Sequence, residues 1–121
     1  MRIFYSSNSG DPMLLDQEEG LHWLADELGA MVAAGDGRTF AANIGGSPAP
    51  YDELLQGFRV RRLSAGPTAC HITEDRWLDL QASDADLDRL CRNLEQLRNG
   101  EHTHLYSNPI SLIFEADDIQ R

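Results

Sequence analysis

The sequence predicts one α+β domain over residues 1–121: a two-layer sandwich with two helices on one face of a mostly antiparallel sheet. Three observations carry that expectation. Two segments place apolar residues at helical spacing on one side only, so each has a single face to bury. The remaining segments alternate apolar and polar residues between turn signals, as strands do. A chain of 121 residues has room for one core rather than two.

Taken in order, "RIFYS" alternates as a short strand. Asp16 with Glu19 three residues later has the spacing of a capping box, so a helix is expected from there to about Ala34, closed by Gly35. "GRTFAANI" reads as a strand, and "GGSPAPYDELLQG" as a flexible connection with room for one helical turn. "FRVRRLS" is a strand, and "TACHIT" with "RWLDLQA" forms a hairpin around Glu74 and Asp75. Ser83 caps a second helix with Asp86 at its N3 position and Gly100 beyond its last turn. "HTHLYS" and "ISLIFEA" finish as two strands across "NP".

The first helix is expected to bury Leu21, Leu24, Leu28, Met31 and Val32, and the second Leu87, Leu90, Cys91, Leu94 and Leu97. The outer face of the second carries Arg89, Arg92, Asn93 and Gln96, as an ordinary solvated face does. At about 100° per residue the outer face of the first holds Glu19, Trp23, Asp26, Glu27 and Ala30, so a tryptophan stands amid carboxylates. The passages "AAGDGRTFAAN" and "LRNGEHTHLYSN" echo one another after the two helices, which suggests two related strand-helix-strand units. In the strands, Leu78, Leu80 and Leu105 are expected to face the helices. Trp77, Asp79 and Gln81, with His102, His104 and Tyr106, then face away on an open or partly covered side.

Twenty acids against ten basic residues, all of them arginine, give a formal charge of −10. Such a field repels nucleic acid and anionic membrane and attracts cationic proteins, although charge of this size also serves solubility alone. The excess is uneven: residues 1–36 carry −6, residues 37–73 carry +2 and residues 74–121 carry −6. No apolar run approaches the roughly 20 residues that cross a bilayer, and no signal-peptide pattern opens the chain, so a cytoplasmic location is expected. Cys70 and Cys91 lack zinc-ligand or redox spacing and read as core residues in a reducing compartment.

Few residues point to chemistry. His102 and His104 are two apart on a strand, about 6.6 Å, and could share a metal ion. A third ligand is needed, and Glu101 points the other way. The cupin spacing is absent because the next acid is Glu115, which leaves Asp79 or His71 if the fold brings either close. No serine or cysteine sits in a nucleophile elbow, and "IGGSP" lacks the Lys-Ser/Thr ending of a phosphate loop. The arginines of "FRVRRLS" more simply offset the protein's own carboxylates than grip phosphate. Two surfaces remain for recognition: the helix face of Glu19, Trp23, Asp26 and Glu27, and the sheet face of Trp77, His102, His104 and Tyr106. The alternative for Trp23 is packing against the connection near Pro48 to Tyr51.

"YDELLQGFRVRRLSAGP", "WLDLQAS" and "LRNGEHTHLY" resemble immunity protein family thirty-two, bacterial proteins regarded as partners of polymorphic toxins; the resemblance covers about the C-terminal two thirds. It implies a cytoplasmic antidote, without enzymatic activity or cofactor, that binds a cognate protein toxin and blocks its active site. Two other classes stay open on the residues alone: a small metal-dependent enzyme using His102 and His104, and a homodimeric regulatory or scaffold domain joined through Trp23 or an edge strand.

Overall fold

The computed structural model describes residues 1–8 and 10–117. In chain order the elements are β1 (Arg2–Tyr5), β2 (Met13–Asp16), α1 (Glu18–Ala34), β3 (Arg38–Ala41), β4 (Glu53–Leu54) and β5 (Gly57–Arg62), then β6 (Ala69–Ile72), β7 (Trp77–Ala82), α2 (Asp84–Gln96), β8 (His102–Leu105), β9 (Asn108–Pro109) and β10 (Leu112–Ala116). The fold is α+β, with two helices packed together.

The strands divide over two sheets of five, in the orders β4-β1-β2-β10-β8 and β3-β5-β7-β6-β9, where the sequence suggested a single sheet. Antiparallel pairs are the majority, and β2/β10, β5/β7 and β6/β9 are parallel. The division follows from the crossovers. The chain leaves β2, forms α1 and returns as β3 in the other sheet; it leaves β7, forms α2 and returns as β8 in the first.

That exchange is a repeat. Matching β1-β2-α1-β3-β4-β5 to β6-β7-α2-β8-β9-β10 converts the strand order of one sheet into that of the other. The buried sets of the helices agree one for one: Leu21, Leu24, Ala25, Leu28 and Met31 have the spacing of Leu87, Leu90, Cys91, Leu94 and Leu97. Register agrees too, since Val60 lies opposite Leu80 across β5/β7 as Phe114 lies opposite Leu14 across β10/β2, and Leu14 and Leu80 each stand seven residues before the first buried leucine of the helix that follows. Phe58 and Phe114 meet at 6.2 Å between ring centres, so both halves share one core. The helices run antiparallel: His22 Nε2 of α1 donates to the Leu97 carbonyl at 2.9 Å, while Arg62 bridges toward the start of α2 at Asp84 beside Gly35, past the end of α1.

Local signals account for most element ends. The Ser83 hydroxyl accepts the Asp86 N–H at 3.2 Å, and Gly35, at φ 77, closes α1 with its N–H on the Met31 carbonyl. The expected capping box at Asp16 and Glu19 does not form. Gln17 is the N-cap and makes no side-chain cap bond; the Asp16 carboxylate instead accepts the Gln17 N–H at 2.8 Å and lies 3.5 Å from the N-terminal amine. Val32 is half-buried against the core rather than inside it. The connection after β3 holds no helical turn; its end pairs as β4, and its middle is held by Arg2. The buried Arg2 guanidinium lies 5.1 Å from the Phe4 ring centre and donates to the carbonyls of Gly45 and Ser47.

Candidate binding surfaces

The wheel reading of α1 is visible directly. Trp23 is 55% exposed, and its ring meets Phe40 of β3 edge-on at 5.8 Å. The neighbour is therefore the strand that follows the helix, in place of the connection near Pro48 to Tyr51. Glu19 and Asp26 are exposed and Glu27 is half-buried; among the described residues none of the three is in an ion pair, and the Glu27 charge acts at longer range on Arg38.

The sheet-face candidates separate. His102, His104 and Tyr106 share one side at the β8 end of their sheet, with the two imidazoles 5.1 Å apart and Tyr106 stacked flat on His104 at 5.6 Å. Tyr106 is 76% exposed. Glu115 and Ile113 lie opposite His102 and His104 in β10. Trp77 belongs to the other sheet, where its ring covers Gly57 and receives the Arg59 guanidinium at 4.4 Å. The single open face carrying all four side chains is thus two faces, because the leucine alternation was read correctly but the sheet was not one.

The third metal ligand is not supplied by either residue considered for it. His71 and Asp79 are paired with each other across β6/β7 in the sheet that lacks the histidine pair, and Asp79 lies 3.6 Å from Arg61. Among the described residues no three of His, Cys, Asp or Glu gather as a metal cluster would.

The basic cluster offsets the protein's own acids, as its sequence suggested. Arg59 reaches Asp75 at 3.0 Å, and Arg62 grips Asp84 through two hydrogen bonds of 2.7 and 2.6 Å. Those bonds hold the Asp84 carboxyl below its ordinary range, so their contribution is present above that range and lost as pH falls through it. Arg38 pairs with Asp36, Arg76 with Glu53, Arg89 with Asp86, Arg92 with Asp88 and Arg98 with Glu18. Eight of the nine described arginines are in such pairs, so the surplus left facing solvent is carboxylate.

Burial pushes the Cys70 thiol up to about 12, with the Asp79 charge adding to it, and burial likewise raises Cys91. Neither thiol should react with a disulfide exchange reagent at pH 8 in the folded protein, whereas both should react once urea unfolds it. Rapid labelling of either cysteine without denaturant would contradict their place in the core.

Between α2 and β8 lie two adjoining open depressions of about 470 and 530 Å³. Arg89, Asn93 and Gln96 line them from the helix, and His102, Thr103 and His104 from the strand. This trough left no sign in the sequence, because it depends on which strand ends the sheet. No protein-family model, curated protein or solved structure matches the chain.

Proposed function

We propose that the chain is a small acidic immunity protein that acts in the bacterial cytoplasm by binding a cationic toxin or effector domain and occluding its active site. The observation that supports this reading is where the negative surplus stands. With eight of the nine described arginines engaged by internal pairs, Glu19, Asp26 and Glu27 remain outside any ion pair among the described residues and surround an exposed Trp23. An aromatic anchor within an unneutralised field is what recognition of a basic surface requires: the ring supplies desolvated contact, and the charges steer the encounter. Toxins that act on nucleic acid or nucleotides carry basic clefts of this kind.

The test takes as partner a basic effector domain that co-purifies with the protein from its host. Reversing charge at Glu19→Lys, Asp26→Lys and Glu27→Lys together should slow association about tenfold or more at low salt and flatten its salt dependence. Unchanged association kinetics would remove this helix face from the interface.

A further inference from the structure

The two halves of the repeat differ in what fills the space between helix and following strand. Trp23 of α1 occupies the position that Arg89 holds in α2, directly before the equivalent buried residues Leu24 and Leu90. Phe40 of β3, opposite Phe58, corresponds to Leu105 of β8, opposite Leu112, and both are buried. In the first half the indole fills the space beside Phe40. In the second, Arg89 turns to Asp86 at 3.2 Å and the smaller Leu105 stands where Phe40 would, and the space between helix and strand is the open trough.

The strand side of that trough is an unpaired sheet edge, since β8 is the last strand of its sheet. The Ala116 N–H donates to the Glu101 carbonyl at 2.9 Å, and the register places Thr103 opposite Phe114 and Leu105 opposite Leu112. Antiparallel alternation therefore turns the peptide groups of Thr103 and Leu105 toward β10, and those of His102 and His104 outward. Two N–H and two carbonyl groups at the spacing of a strand thus face the trough.

We infer that an extended, basic segment of a partner protein docks here and adds to β8 as a further strand. The open backbone groups select an extended chain, because only such a chain meets donors and acceptors at this repeat. Charge selects a basic one. Arg89, the cation of the trough, is neutralised by Asp86, while Glu101 and Glu115 stand at the His102 end outside any ion pair among the described residues. The stacked His104 and Tyr106 rings offer a flat surface on which a guanidinium can lie. A second copy of this chain would bring its own charge of −10 to the same edge and be repelled. The inference rests on the reading of the chain as a binder of cationic protein, and adds the place and the manner of contact.

The probe is a short synthetic peptide alternating arginine with valine, titrated at low salt into uniformly 15N-labelled protein. The His102 and His104 amides should shift and become slower to exchange, and a peptide with glutamate in place of arginine should do neither. His104→Pro removes an N–H that points away from β10 together with the ring stacked on Tyr106, so it should keep the unfolding temperature near that of the parent while weakening the peptide about tenfold, and by more than His104→Ala, which loses the ring alone. Should that variant fail to fold, His102→Pro removes the other outward N–H, and the exchange result on the parent protein stands without either. Shifts centred on Trp23 and α1 would overturn the inference while leaving the cationic-partner reading in place. Absence of binding would overturn it as well, and that reading would then depend on the association-rate experiment with the toxin domain. Protection of the same amides that rises with protein concentration alone, with dimers in sedimentation, would assign the edge to self-association and overturn it.

Discussion

Truncating Phe58 to alanine should lower the unfolding free energy by about 3–5 kcal/mol, and Phe114→Ala should cost a similar amount. Both rings are fully buried. Phe58 stacks on Phe40 at 6.2 Å and meets Phe114 edge-on at the same distance, so its removal opens a space shared by both sheets. Since small domains hold only about 5–15 kcal/mol in all, either variant should be close to unfolding at moderate temperature. The coupling between the two is the sharper expectation, because the rings come from different sheets and touch each other. The double variant should fall short of the sum by about 0.5–1.5 kcal/mol, the part belonging to the ring pair itself. Urea unfolding of the three variants measures this. Additive losses of under about 1 kcal/mol each would mean that the halves carry separate cores.

The helices were legible in the sequence because one apolar stripe at 3.6-residue period leaves little choice of face, and every residue assigned inward on α2 is buried. The same periodicity placed Trp23 outside. What it could not give was Phe40 as the neighbour of Trp23, or the distance between Trp77 and the histidines, because both depend on which strands pair. β2 escaped notice for a related reason: Leu14 faces the core and Leu15 is buried on the opposite side, so "MLLD" shows no alternation. β4 and β9 are two residues each, too short for any period. The repeat showed only as the echo after the helices. Elsewhere length hides it: α1 has 17 residues and α2 has 13, and fifteen residues separate β3 from β5 where six separate β8 from β10. The parallel pair β2/β10 joins opposite ends of the chain, and no local pattern in either strand announces its partner.

A single added methyl at Gly57 should also be costly, about 1–3 kcal/mol or more, although alanine is an ordinary strand residue elsewhere. A Cβ there would overlap the six-membered ring of Trp77 and stand 2.5 Å from the Phe40 carbonyl oxygen. The glycine thus lets two neighbours approach at once: an indole laid across the strand, and the backbone of β3, whose Ala41 is the register partner of Gly57. These two obstructions can be separated. In Gly57→Ala combined with Trp77→Ala the ring is gone, and part of the loss from the glycine change should return. The rest should persist, because the Phe40 carbonyl belongs to the backbone and moves only if β3 moves. That shift would carry Phe40 away from Trp23, so Gly57→Ala should also change the Trp23 environment in the folded protein, visible as a displaced indole N–H resonance. Full recovery in the double variant, with the Trp23 signal unmoved throughout, would place the whole obstruction at Trp77 and uncouple Gly57 from the acidic helix face.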